Sequence, residues 1–81
     1  MQTEILTPDK RLFSGKTRLV SVPGSKGAFE ILKNHAPIIS TLEKGTIRVV
    51  DEAGAEFTFD ILKGVVECTS NQISILAEPA P

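Results

Sequence analysis

The chain has no tryptophan or tyrosine, and it has only one cysteine and one histidine among its 81 residues. Its four phenylalanines are therefore the only aromatic rings, and they make a poor surface for stacking bases or sugars. The single cysteine, Cys68, excludes an internal disulfide, and together with the single histidine, His35, it leaves no ligand set with metal spacing. These absences argue against a disulfide-stabilised domain, a zinc domain and a nucleic-acid-binding domain.

An excess of charge of one sign and long apolar runs are missing as well. The net charge is −1, so we expect no broad electrostatic attraction to nucleic acid or anionic lipid. No stretch approaches the roughly 18 apolar residues of a membrane span, and Met1–Glu4 lacks the basic region and apolar run of a signal peptide. The sequence predicts one small domain in a reducing cytosol, with no direct membrane insertion.

Short segments of alternating apolar and polar residues, separated by turn residues, fill the chain. The clearest is Glu56–Ile61, where Phe57, Phe59 and Ile61 alternate with polar side chains. Further strands are predicted at 3–7, 11–13, 18–22, 28–32, 38–42, 46–50, 65–69 and 72–76. Turns are expected at Ser14-Gly15 and Lys63-Gly64, and no window of twelve residues has helical spacing.

This pattern predicts an all-β fold, an antiparallel sandwich or barrel. The domain is expected to span residues 1–78. The end of the chain, Ala77–Pro81, is expected to be irregular, with 79–81 as a short Pro-rich tail.

Motifs that carry chemistry are weak in this sequence. Gly15-Lys16-Thr17 imitates the end of a phosphate loop, but Lys10 stands where the first glycine is needed and a strand follows instead of a helix. The turn Gly24–Gly27 could offer backbone donors to an anion, although a plain turn is the better interpretation. His35 is favoured as a structural or contact residue, and Cys68 as a core residue. We therefore predict no catalytic, cofactor-binding or metal site.

The segment Gly27–Ile39, with His35-Ala36-Pro37 followed by two isoleucines, resembles the signature of the epsilon subunit of the F-type ATP synthase (delta in mitochondrial naming). Other parts of the chain fit the same family in order: Ile5–Pro8, Phe13–Gly15, Val20–Gly24, Lys44-Gly45, Gly64–Glu67 and Ile73–Ala77. Lys33-Asn34 replaces the usual Pro-Gly before the histidine, and Asn tolerates a left-handed angle. Glu30 stands where a glycine is often found, and Lys26 and Ala28 stand in a loop where some members carry an acidic residue.

The resemblance implies a flattened sandwich of two five-stranded sheets that catalyses nothing and binds no cofactor. It implies a central-stalk (rotor) subunit of the F1Fo ATP synthase, which couples ion-driven rotation of the c-ring to rotation of gamma and ATP synthesis. Such a subunit lies on the cytoplasmic face of the bacterial inner membrane as a peripheral protein. Many members continue into two inhibitory C-terminal helices. The chain ends after its last predicted strand, so no helical hairpin is expected here.

The same resemblance implies two contact sets. Contact with gamma is expected for His35, Ile38, Ile39, Ser40, Thr7 and Pro8. Contact with the c-ring is expected for the loop residues Gly24, Ser25, Lys26, Gly27 and Ala28. Adjacent residues of a strand point to opposite faces, so one isoleucine is expected in the core and the other outside. The alternative places both isoleucines in the core, with His35 capping a turn.

Two other functions remain open at this point. A free-standing small β-barrel that binds nucleic acid or a short ligand would need a basic stripe. Five basic residues do fall in one half of the chain, but acidic residues balance them overall: Arg11, Lys16, Arg18, Lys26 and Lys33. A catalytic domain would have to use His35 together with a nucleophile and an orienting carboxylate.

Overall fold

The computed structural model describes residues 1–81, which form seven strands and no helix. The strands are β1 (Gln2–Leu6), β2 (Arg11–Val22), β3 (Phe29–Leu32), β4 (Ile38–Leu42), β5 (Gly45–Asp51), β6 (Glu56–Thr69) and β7 (Gln72–Pro79). The predicted all-β fold is confirmed. The structure contains no helix that is long and apolar enough to cross a membrane.

Five of the strands close into a ring of hydrogen-bonded neighbours. The order is β1-β7-β6-β5-β2, and β2 pairs with β1 to complete the ring. Strand β3 adds to the outside of β2, and β4 adds to β6. Closure leaves few free strand edges, which gives the domain a rigid frame.

The ring is flattened into two layers because the long strands β2 and β6 each run through both of them. Sheet I contains β4, the second half of β6, β7, β1 and the first half of β2. Sheet II contains β3, the second half of β2, β5 and the first half of β6. The sandwich is therefore confirmed. Sheet I has the five segments implied by the resemblance, whereas sheet II has four.

Two glycines that the sequence predicts in turns lie inside strands instead. Gly15 pairs with Thr3 in the middle of β2, and Gly64 pairs with Ala77 in β6. A Cβ at Gly64 would lie 2.7 Å from the carbonyl oxygen of Leu76, so this glycine permits a close approach of two strands. The register of β6 against β7 shifts between Ile61 and Lys63, which marks the bend as a bulge.

The ends of the chain also differ from the sequence prediction. Strand β7 continues through Ala77 to Pro79, and the amide of Ala80 donates to the carbonyl of Asp60 (3.0 Å), so the predicted irregular end is wrong up to Pro79. Proline is tolerated there because it is the last residue of the strand. Strands β1 and β7 pair in parallel, whereas the sequence predicts an antiparallel sheet. No hairpin joins these two strands, so no turn signal reveals their direction.

The core lies between the two sheets and is almost entirely aliphatic. Each strand contributes alternate side chains to a cluster of 13 buried residues: Ile5, Val20, Val22, Ile31, Leu42, Ile47, Val49, Ile61, Val66, Cys68, Ile73, Ile75 and Ala77. The hydroxyls of Thr3 and Thr17 satisfy each other inside at 2.7 Å. Cys68 is buried, as predicted, and burial raises the pKa of its thiol.

Candidate functional site

An uncovered row of apolar side chains crosses the outer face of sheet I. Val65 of β6 lies opposite Leu76 of β7, which lies opposite Leu6 of β1. Val65 is 43% exposed and Leu76 is 56% exposed, while Leu6 is half-buried. Ile39 of β4 lies diagonally to Val65, because its neighbour Thr41 is the direct partner of Val65. We call Leu6, Ile39, Val65 and Leu76 the apolar row.

A groove of about 430 Å³ runs beside this row. Its lining residues are Pro8, Thr41, Leu42, Lys63, Gly64, Val65, Leu76, Ala77 and Glu78. Ion pairs flank the groove and the row: Lys63 Nζ lies 3.7 Å from Glu78 Oε2, and Arg11 lies 3.3 Å from Glu4. The apolar row between ion pairs is the arrangement expected of a protein-contact surface, in which an apolar centre has a polar rim.

The two isoleucines point to opposite faces of β4, as predicted. Ile38 is half-buried and packs against the core, whereas Ile39 is 71% exposed. The alternative with both isoleucines in the core is therefore wrong. Ser40 lies on the side of Ile38, opposite buried Val66, and its hydroxyl donates to the Thr41 carbonyl at 3.0 Å. Ile39 and Ser40 thus do not share a face.

Thr7 and Pro8 separate into a structural residue and a surface residue. Thr7 is buried, and its Oγ1 accepts from the amides of Asp9 (3.3 Å) and Lys10 (3.1 Å), which fixes the turn after β1. Pro8 is exposed and lines the groove. Of this pair, only Pro8 offers its side chain to a partner.

His35 lies in the connection between β3 and β4. The ring is half-buried, its Nδ1 lies 2.7 Å from the carbonyl oxygen of Ala36, and its amide donates to Leu32 at 3.1 Å. Asn34 has a φ of 66°, so the left-handed turn expected before the histidine is present. The neighbouring residues 33, 34, 36 and 37 are exposed. The connection is thus a surface turn, and its histidine makes no hydrogen bond or ion pair with a carboxylate or a nucleophile.

The loop Gly24–Ala28 is a tight, projecting turn at the opposite end of β4 from His35. The amide of Gly27 donates to Gly24 (3.0 Å), and the amide and hydroxyl of Ser25 bond to Thr41 at 3.0 and 2.9 Å. Gly24 is buried, and a Cβ there would lie 2.6 Å from the Gly27 carbonyl oxygen, so the turn leaves no room for a side chain; the other four residues are exposed. The loop presents one cation, Lys26, at its tip.

The predicted contact residues therefore spread along β4, the edge strand of sheet I. His35 lies before the first residue of β4, Ile39 is its second residue, and the loop Gly24–Ala28, which joins β2 to β3, bonds Thr41 near its last residue. Pro8 shares a groove with Thr41 and so lies toward the loop, not toward His35.

Sequence reasoning missed Leu6, Val65 and Leu76. The signal was present as adjacent apolar pairs, Ile5-Leu6, Val65-Val66 and Ile75-Leu76, each of which must place one member outside.

The outer face of sheet II carries paired polar groups beside a set of apolar side chains, Leu32, Leu19 and Val50, which pair across β3, β2 and β5. Arg48 Nε donates to Glu56 Oε1 at 2.6 Å, and the Thr46 hydroxyl donates to Asp60 at 2.7 Å. The hydrogen bond from Arg48, and then its positive charge, lower the pKa of Glu56 below its ordinary value. Of the apolar set on this face only Leu32, at the edge, is largely exposed (50%), whereas Leu19 is half-buried and Val50 is buried.

Known proteins resemble this chain over nearly all of its length. The family described as "ATP synthase, Delta/Epsilon chain, beta-sandwich domain" matches residues 1–81. The ATP synthase epsilon chain of Maricaulis maris is 42% identical over 77 residues, which cover 95% of this chain and 57% of that protein. The epsilon chain of Chlorobaculum tepidum is 39% identical over 75 residues, which cover 93% of this chain and 85% of the relative.

Solved structures share the fold at low sequence identity. A chain of the Euglena gracilis mitochondrial ATP synthase, in a structure of OSCP, F1 and c-ring, superposes with a TM-score of 0.83 at 17% identity, over 95% of this chain and 51% of that one. A chain of the Tetrahymena thermophila central stalk and c-ring gives 0.77 at 16% identity, over 96% and 63%. On the family match and the curated relatives, the chain belongs to the ATP synthase delta/epsilon chain family, as its β-sandwich domain.

Proposed function

We propose that this domain is a non-catalytic coupling element of the central stalk of an F1Fo ATP synthase. It transmits rotation of the c-ring to the gamma subunit, and so to ATP synthesis. Its place is peripheral, at the cytoplasmic face of a bacterial membrane. Family membership supports this assignment, and so does a ring of strands that can carry load without a reactive group.

The observation that carries the proposal is the apolar row on the outer face of sheet I. Ile39, Val65 and Leu76 stand on a rigid sheet, and two of these three side chains are more than half exposed. Burying one exposed isoleucine against a partner contributes about 1.5–3 kcal/mol. We assign this surface to gamma, with Ile39 at the β4 end of the apolar row, His35 before the start of β4 and Pro8 at the groove.

The loop Gly24–Ala28 is the proposed contact with the c-ring. It projects from the end of the sandwich and is stiffened by its bonds to Thr41. Lys26 at the tip is exposed and suits polar or acidic partner groups. In this arrangement, gamma contacts sheet I, and the ring contacts a loop between two strands of sheet II that is bonded to Thr41 of β4.

Co-purification with the gamma subunit of the same organism tests the gamma assignment. Ile39→Asp is expected to weaken binding at least tenfold, because a charge replaces an apolar contact. Leu32→Asp is the matched control, since Leu32 is an exposed apolar residue on the edge strand of sheet II. It is expected to bind like wild type. Equal loss in both variants, or no binding by wild type, would contradict the assignment of this face.

Site-directed crosslinking tests the contact with the c-ring. Cys68 is buried and its pKa is raised, so its thiol should stay unreactive in the folded protein. In Lys26→Cys, the introduced thiol would then be the only reactive one. In the assembled complex it is expected to crosslink to a c subunit, while Thr58→Cys on the outer face of sheet II gives no such product. A Lys26→Cys product with gamma alone would count against the proposal.

A further inference from the structure

A reciprocal pair of asparagines fastens the His35 connection to the hairpin between β6 and β7. The amide of Asn34 donates to Asn71 Oδ1 at 2.7 Å, and Asn71 Nδ2 donates back to Asn34 Oδ1 at 3.1 Å. The two residues are 37 positions apart in sequence. Asn34 follows a strand of sheet II, and Asn71 lies in a hairpin of sheet I, so the pair joins the two layers.

Asn71 is the centre of this arrangement. Its carbonyl accepts from the amide of Gln2 at 2.9 Å, while its side chain holds Asn34 through both of its polar atoms. One residue therefore ties together the start of β1, the β6–β7 hairpin and the connection that carries His35. Apart from this pair, the bonds of the connection are local, from the His35 amide to Leu32 and from the His35 ring to Ala36.

The backbone at Asn71 would suit glycine better than asparagine. Ser70 and Asn71 have φ of 48° and 60°, as a two-residue hairpin of type I′ requires. Glycine adopts such angles without steric cost, and Asn is the next most tolerant residue. An asparagine at this position keeps the turn and adds a carboxamide, whose Oδ1 accepts from Asn34 and whose Nδ2 donates to Asn34.

We propose that Asn71 is a positioning residue for partner binding. Its carboxamide fixes the His35 connection relative to sheet I, so that His35 and the exposed Ile39 are held in one arrangement before the partner arrives. The consequence for binding rests on the function proposed above, whereas the fixing of the connection does not. Preorganisation of this kind raises affinity by reducing the ordering that binding requires.

Asn71→Gly removes the carboxamide and keeps the turn. In the 81-residue chain, the Asn34 amide is expected to exchange with solvent about tenfold faster by NMR, because its only acceptor is gone. Affinity for gamma is expected to fall about fivefold, with the thermal midpoint close to wild type. Asn71→Asp keeps an acceptor and is expected to restore slow exchange at Asn34.

Ser70→Gly is the matched control, since it changes the same turn and leaves the carboxamide in place. It is expected to show wild-type exchange at Asn34 and wild-type affinity for gamma. Unchanged exchange in Asn71→Gly, or an equal effect of Ser70→Gly, would overturn the proposal. Faster exchange with undiminished binding would overturn the role in binding. Absence of binding by wild type would overturn the proposed function, and exchange alone would then decide whether Asn71 fixes the connection.

Discussion

The outer faces of the two sheets differ in the side chains that they expose to solvent. On sheet II, Arg48 and Glu56 bond across neighbouring strands, and Thr46 bonds Asp60 in the same way. On sheet I, Val65 and Leu76 lie beside each other with large exposed fractions, and Ile39 extends this apolar row. Sheet II pairs its polar groups with each other and leaves only Leu32 of its outward apolar set largely exposed, whereas sheet I exposes Ile39, Val65 and Leu76 together.

This difference indicates that the outer face of sheet I is the one that contacts a partner. Exposed charged groups that pair with each other remain well hydrated, so leaving them in water is nearly neutral in free energy. Exposure of contiguous apolar side chains to water is unfavourable, and on a small protein such a patch marks a contact surface. Both faces belong to one closed ring, so the contrast comes from the outward residues and not from a difference in backbone. Substitutions can therefore test it with the fold held constant.

The largest expected effect comes from the backbone that supports the apolar row. Gly64→Ala would place a Cβ 2.7 Å from the Leu76 carbonyl oxygen and would force β6 and β7 apart. We expect a loss of about 3 kcal/mol in the free energy of unfolding, because neither strand can yield without breaking its ladder. Denaturant unfolding measures it.

The matched control is Gly15→Ala, at the other glycine in the interior of a strand. A Cβ at Gly15 would meet only the Phe13 ring, at 3.5 Å, which is an ordinary contact. We expect this variant to be neutral or slightly stabilised, by up to about 1 kcal/mol. Equal destabilisation by both alanines would mean that the close approach at Gly64 does not hold sheet I together.

The next effect separates the two sides of β4. Ile38→Asp is expected to lower the free energy of unfolding by about 2 kcal/mol, because its half-buried side chain packs on the core. Ile39→Asp should cost no more than about 1 kcal/mol, since the side chain is 71% exposed and the cost comes only from the strand propensity of Asp and from Glu67 opposite. Chemical denaturation of the isolated chain compares them. Similar losses in the two variants would contradict the exposure of Ile39.

Local patterns predicted the strands well, because the sequence alternates in short segments. They failed where glycine can serve either in a turn or inside a strand. Gly15 and Gly64 suggest turns but lie within continuous strands. A glycine that relieves a turn and one that allows strands to approach look the same in sequence. The distinction depends on the partner strand, here the carbonyl of Leu76.

The site was only partly predictable for the same reason. The alternation rule placed one isoleucine of β4 outside, but the choice of Ile39 depends on which residues oppose β4 in β6. The apolar row joins β4, β6, β7 and β1, and the parallel pairing of β1 with β7 has no local sequence signal. The Asn34–Asn71 pair spans 37 residues and likewise becomes visible only in three dimensions.

The smallest expected effect tests the polar side of the comparison. The pKa of Glu56 is lowered by Arg48, so the ion pair adds stability above the ordinary pKa of 4.5 and loses it as pH falls through the lower folded value. Glu56→Gln should therefore be slightly less stable than wild type at neutral pH. The difference should shrink below about pH 4 and in high salt, because both groups are exposed. Thermal unfolding across pH measures it. Glu67→Gln makes the same change on the outer face of sheet I, where Glu67 has no ion pair, and its stability relative to wild type should not depend on salt in this way. If the two variants respond alike to salt, the polar groups of sheet II do not stabilise their face, and the contrast between the faces reduces to the apolar row alone.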